Sequence, residues 1–189
     1  MKKLAVLFIA MMSFGLTSAQ TEVGGVKLPN SEIFQGKTLQ LNGAGVREKL
    51  WIDLYAGGLY LSEKSSSADA IMSSDKPMSI KLHIVSKLIS SDKMVDAVND
   101  GFESSMNGNT KPLAAEIKKF KGFFMEEITK NDVFDIVYIP GTGVTAYKND
   151  KELGTIAGME FKKALFGIWL SKNPADDDLK DAMLGNNMG

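Results

Sequence analysis

Apolar positions along the chain recur with two different periods, and the switch between them separates strands from helices. From Glu48 to Leu61 they alternate, with Leu50, Ile52 and Leu54 on one face and Arg47, Lys49, Trp51, Asp53 and Tyr55 on the other. This predicts a strand over Glu48–Leu61, partnered by one over Lys37–Val46, with Asn42-Gly43-Ala44-Gly45 between or within them. Gly57-Gly58 interrupts the second run, which suggests a bulge or a close backbone approach. Met78 to Val85 alternates again: Met78, Ile80, Leu82 and Ile84 share one face, Lys81 and His83 the other. Val133–Ile139 (VFDIVYI) is rich in β-branched and aromatic residues. After the Pro140-Gly141-Thr142-Gly143 turn comes a return strand, Val144–Tyr147, and beyond Asn149-Asp150 a third, Glu152–Ile156. Together they predict a three-stranded meander.

Elsewhere the period lengthens to that of a helix. Ser65-Ser66-Ser67 starts a short helix over Ala68–Met72. Ser90 and Ser91 cap another, whose Met94, Val98 and Phe102 fall at i, i+4 and i+8, and Gly108-Asn109 ends it. Pro112 stands near the first turn of the next helix, which turns Leu113, Ile117 and Phe120 inward and Lys118, Lys119 and Lys121 outward. Phe161, Leu165, Ile168 and Trp169 form a broad apolar face, broken by Asn173-Pro174. Asp176-Asp177-Asp178 opens the last helix, where negative charge suits the positive end of the helix dipole, and Leu179, Met183 and Leu184 point inward. Residues 20–37 form a lead-in with one short strand over Val23–Leu28. No repeat or linker divides residues 20–189, which read as a single α+β domain, a mostly antiparallel sheet with helices on one side.

The first residues change the picture. Lys2 and Lys3 precede an almost wholly apolar run, Leu4 to Leu16, and Thr17-Ser18-Ala19 supplies small residues beyond it. This is the order of a cleavable secretory signal peptide over residues 1–19; the run is short of the ~20 residues of a spanning helix, so no membrane anchor is expected after cleavage. No cysteine follows it to carry a lipid. The expected location is exported, periplasmic or secreted. The chain carries 22 basic and 23 acidic residues, a net charge of −1, and loses two lysines with the leader. Such a balance leaves no footprint for nucleic acid. With no cysteine and one histidine, His83, thiol chemistry and thiolate metal sites are excluded, and no calcium or zinc spacing appears; no cofactor or metal is expected. His83, on the polar face of its strand, reads as a solvent-facing or hydrogen-bonded residue.

Several stretches in order resemble the chalcone isomerase-like family, most of all its secreted bacterial branch. They are Asn42-Gly43-Ala44-Gly45-Val46-Arg47, Leu54 to Leu61, the strand ending at Ile84 with the serine-led helix after it, the Pro140–Gly143 hairpin, and Phe161 to Leu170 with Pro174 and Leu179. The resemblance implies an open-faced β-sandwich, a long antiparallel sheet with helices packed on one face and a ligand cleft between them. The family's enzymes cyclise a chalcone by attack of a phenolate on an enone, whereas non-catalytic relatives bind fatty acids in the same cleft. The enzymes use an arginine after a Gly-rich turn, a strand threonine, a helical tyrosine–asparagine pair and a late hydroxyl. Here Arg47 stands at the arginine's place, Tyr55 takes the threonine's, no tyrosine lies between Ser91 and Phe124, and Lys162 stands at the late hydroxyl.

Three functions follow as expectations. The leading one is a non-catalytic binder of a small apolar, fatty-acid-like carboxylic acid. Arg47 would pair its forked donors with the carboxylate, Tyr55 would add a hydroxyl on the same face, and the tail would lie among Met94, Val98, Phe102, Phe161 and Leu165. The others are an isomerase or intramolecular lyase acting on another substrate, and a cell-envelope interaction module. Arg47 also has a purely structural reading, an ion pair with Glu48 or Asp53, and the Met and Phe stripes a reading as plain core.

Overall fold

A computed structural model of the protein describes residues 20–186; the expected leader lies outside them. The chain opens with a small hairpin, β1 (Gln20–Val23) and β2 (Val26–Pro29). A seven-stranded antiparallel sheet follows in simple sequence order: β3 (Ser31–Phe34), β4 (Lys37–Lys49), β5 (Ile52–Leu61), β6 (Met78–Ile84), β7 (Val133–Ile139), β8 (Gly143–Lys148) and β9 (Lys151–Ile156). Helix α1 (Ala68–Ser73) links β5 to β6, and α2 (Ser91–Ser105), a 3-10 turn and α3 (Ala114–Gly122) link β6 to β7. Helices α4 (Met159–Leu170) and α5 (Asp177–Met183) complete the fold. Among the described residues no helix is long and apolar enough to cross a membrane.

The helices cover one face of the sheet. Leu59, Ile80, Ile136 and Val144 point into that layer and meet Phe102, Phe161, Leu165 and Phe166, all at most 1% exposed. Ser90 and Asp176 accept backbone N–H groups at the starts of α2 and α5, from Lys93 at 3.4 Å and Leu179 at 2.8 Å, satisfying donors a helix start leaves open.

The sheet curls into a half-barrel. Edge strand β3 arches over the face away from the helices until Phe34 stacks on Tyr147 of β8, ring centroids 6.5 Å apart. Glu32 of the same strand reaches Lys81 of β6 at 2.9 Å, and Asp135 of β7 lies 2.7 Å from the same ammonium. This second face holds a smaller core of Leu39, Leu41 and Tyr60, whose hydroxyl donates to the Pro29 carbonyl at 2.9 Å and so ties down the β1–β2 hairpin.

One expected turn is in a different place. β4 runs unbroken through Asn42–Gly45, with a bulge at Asn42, and reverses at Leu50-Trp51, where Lys49 pairs with Ile52. The alternation read from Glu48 to Leu61 therefore crosses a turn: Leu50 and Trp51 are 76% and 89% exposed, and neither belongs to a buried face. The glycines serve a close approach instead. A Cβ at Gly43 would lie 2.1 Å from the Ala182 carbonyl oxygen, and one at Gly45 2.7 Å from the Ala182 Cβ, so α5 rests on a glycine floor. The lead-in likewise holds three short strands rather than one.

Candidate functional site

Moving the turn to Leu50-Trp51 changes how Arg47 and Tyr55 meet. They sit on adjacent antiparallel strands, directly opposite one another in register. Cross-strand partners share a face, and here it is the face beneath the helices. Tyr55 is 6% exposed and Arg47 half-buried. The Tyr55 hydroxyl accepts a 2.9 Å hydrogen bond from the Trp169 indole N–H on α4. Burial pushes the phenol above its ordinary pKa, and the Arg47 charge and the Trp169 hydrogen bond pull it partly back. Tyr55 therefore stays protonated. With its oxygen accepting, its O–H remains a donor.

Asp176, whose charge also bears on Tyr55, is already engaged. One carboxylate oxygen caps α5 at the Leu179 N–H, and the other accepts the Glu48 N–H at 3.3 Å. Among the described residues no salt bridge engages Arg47, with Glu48 and Asp53 no exception. A half-buried guanidinium beside a buried phenol O–H is thus a set of donors whose charge has no matching carboxylate. Such a set suits an anion, above all a planar carboxylate.

The residues expected around an apolar tail are packed core. Met94, Val98, Phe102, Phe161 and Leu165 are all at most 7% exposed, and Phe102 and Phe161 are in ring contact at 5.8 Å. Two surface concavities, of about 260 and 230 Å³, lie at the far end of the sheet, around Ile71 and Pro77 and around Tyr138 and Gly141. Neither reaches Arg47.

Lys162 also sits at that far end. Its ammonium is fully buried and donates to the carbonyls of Ile71, Met72 and Ser74 at 2.8–2.9 Å, closing the C-terminal end of α1. Burial lowers its pKa to about 8, against the pull of Asp75. It holds α1 to α4 and stands apart from Arg47. His83 faces the opposite side of the sheet, where burial and the Lys81 charge lower its pKa. No group of His, Asp or Glu that could hold a metal occurs among the described residues.

Sequence reasoning placed Arg47 and Tyr55 on one face but missed Trp169 as the hydrogen-bond partner of Tyr55, having assigned it to the core. It also missed the Glu32–Lys81–Asp135 cluster. Its one signal was a charged residue at the centre of each apolar strand, Lys81 in MSIKLHI and Asp135 in VFDIVYI.

A family model described as chalcone isomerase-like matches residues 20–185. Among solved structures, a fatty-acid binding protein of Arabidopsis thaliana superposes with a TM-score of 0.68 at 20% identity, over 86% of this chain and 93% of that one. At that identity the likeness establishes the fold. A search of curated proteins finds no match.

Proposed function

The chain belongs to the chalcone isomerase-like family, and from that premise we propose that it is an exported, non-catalytic protein that binds a small apolar carboxylic acid at Arg47 and Tyr55. The observation that carries this reading is the Arg47 guanidinium, without a carboxylate partner among the described residues, opposite a buried tyrosine whose O–H is free to donate. The solved structure of a fatty-acid binding protein with this fold supports the ligand class.

The carboxylate would take two N–H groups of Arg47 and the Tyr55 O–H. The layer beneath the helices is filled by packed side chains, Leu179 and Met183 of α5 among them, so the tail would enter only as α5, a helix of seven residues, lifts from the glycines under it. Trp169 holds the phenol in place. Among the described residues none next to the pair is fitted to move a proton: the Asp176 carboxylate is occupied by two backbone N–H groups, and His83 is on the other face. That favours retention over turnover.

Titration of the folded protein with palmitate as probe tests this. Arg47→Ala is expected to weaken binding about 10- to 100-fold, the value of a charge-assisted hydrogen-bond pair, and Tyr55→Phe about three- to tenfold. Both variants should keep the wild-type circular dichroism. Unchanged palmitate affinity in a folded Arg47→Ala protein would remove the site.

A further inference from the structure

Among the described residues, six large apolar side chains stand exposed: Ile33, Leu50, Trp51, Ile52, Leu88 and Met125. Five of them gather at one end of the sheet. Leu50, Trp51 and Ile52 form the tip of the β4–β5 hairpin. Leu88 lies on the loop leaving β6, which the Val85 and Ser86 N–H groups tie to the Leu54 carbonyl beside that tip. Met125 lies on the segment entering β7, held at the same end by the Asn131 N–H bond to the Ile84 carbonyl. Only Ile33 falls elsewhere, near the β3–β4 turn.

The hairpin tip is also strained. A two-residue turn with both central residues at positive φ is the kind that Asn-Gly adopts readily. Here Leu50 and Trp51 occupy it at φ of 53° and 60°, a region that bulky side chains disfavour. The turn thus holds an indole 89% exposed at the cost of backbone strain.

We propose that this end of the molecule docks on a lipid bilayer, with Trp51, Leu50 and Ile52 entering the interface and Leu88 and Met125 resting against it. A protruding turn flanked by two loops fits a deformable surface, which needs no complementary groove. Tryptophan and leucine are suited to the headgroup–acyl boundary. The flanking exposed charges are mixed, Glu48, Lys49, Asp53 and Lys87 among them, so apolar insertion rather than attraction to anionic lipid supplies the affinity. Arg47 lies three residues from the tip, which would set the acid site close to a bilayer that contains apolar acids; this last link rests on the function proposed above.

The test uses phosphatidylcholine vesicles, with and without phosphatidylglycerol. Trp169 is 5% exposed, so a vesicle-dependent change in tryptophan emission reports Trp51. The expected result is a blue shift, quenching by acyl-brominated lipid, and little dependence on salt or phosphatidylglycerol. Leu50→Asn/Trp51→Gly should lower partitioning at least about tenfold through loss of buried apolar surface. The same variant should raise the thermal midpoint by about 2–4 °C as the turn relaxes. Leu88→Ser, on a separate loop, should weaken partitioning with an unchanged midpoint. No vesicle-dependent change in wild-type emission, or vesicle sedimentation unaltered in both variants, would overturn the proposal. Palmitate titration of the same variants separates the two readings: vesicle docking without acid binding refutes only the acid site, and acid binding without docking refutes only the bilayer contact.

Discussion

Lys81→Met is expected to destabilise the protein by about 3–5 kcal/mol at neutral pH, the cost of stranding buried charge by removing one member of an ion cluster. Lys81 is 9% exposed and Asp135 3%, and both Glu32 and Asp135 depend on the same ammonium. Burial pushes the Glu32 and Asp135 carboxyls above their ordinary pKa even with Lys81 in place, its charge pulling them only partly back. Burial alone would lower Lys81, but the charges of Asp135 and Glu32 outweigh it and hold the ammonium above its ordinary value. The pH dependence follows from these directions. A carboxyl with a raised folded pKa binds its proton more readily folded than unfolded, so its penalty fades as pH falls toward the unfolded value. In Lys81→Met the carboxyls lose their counter-charge and rise further. The deficit against wild type should therefore be greatest near neutrality and shrink as pH falls toward about 4, near the unfolded carboxylate values. The contribution of Lys81 itself persists below its unfolded pKa and is lost only as pH rises through the still higher folded one. Urea unfolding at a series of pH values reads this directly, and a deficit that does not vary with pH would mean that the cluster is not charged as described.

Gly43→Ala should cost about 3 kcal/mol, the upper part of the range for overpacking, and lower the thermal midpoint by about 6–12 °C. The added Cβ would lie 2.1 Å from the Ala182 carbonyl oxygen and 2.8 Å from that of Met183. Both are backbone atoms, so no rotamer change relieves the clash and α5 must lift. That movement would also stretch the 2.8 Å bond from the Asn42 amide to the Met183 carbonyl and unseat Leu179 and Met183, each at most 1% exposed. Gly122→Ala is the control: nothing lies within 4 Å of its Cβ, and its midpoint should stay level or rise. Matching midpoints for the two variants would show that α5 does not rest on this floor.

Where contacts are local, the sequence was a good guide. Met94, Val98 and Phe102 line the buried side of α2, and the β7–β9 meander lies where its turn residues put it, because helix stripes and turns of two or three residues depend on neighbours a few positions away. The β4–β5 turn misled for a physical reason. Its residues, Leu50 and Trp51, are poor formers of a positive-φ turn, and the Gly-rich stretch upstream offers better turn chemistry but is used to seat α5. The site was legible only in part: a two-residue turn alone would set Arg47 opposite Leu54, and it is the register shift next to the turn, which leaves Leu54 without a partner, that puts Arg47 opposite Tyr55 on one face; the Trp169 bond spans 114 residues. Nor does any local pattern encode the curl that carries Glu32 across to Lys81. Both depend on how the sheet closes, which a one-dimensional period does not record.

Native mass spectrometry of the protein purified from its own cells, with no lipid added, is the most direct test of the acid site. The expected spectrum shows the folded protein carrying one small apolar acid, lost from Arg47→Ala while its charge-state distribution stays that of a folded chain. A ligand-free wild-type protein, or an adduct held equally by Arg47→Ala, would contradict binding at Arg47 and Tyr55.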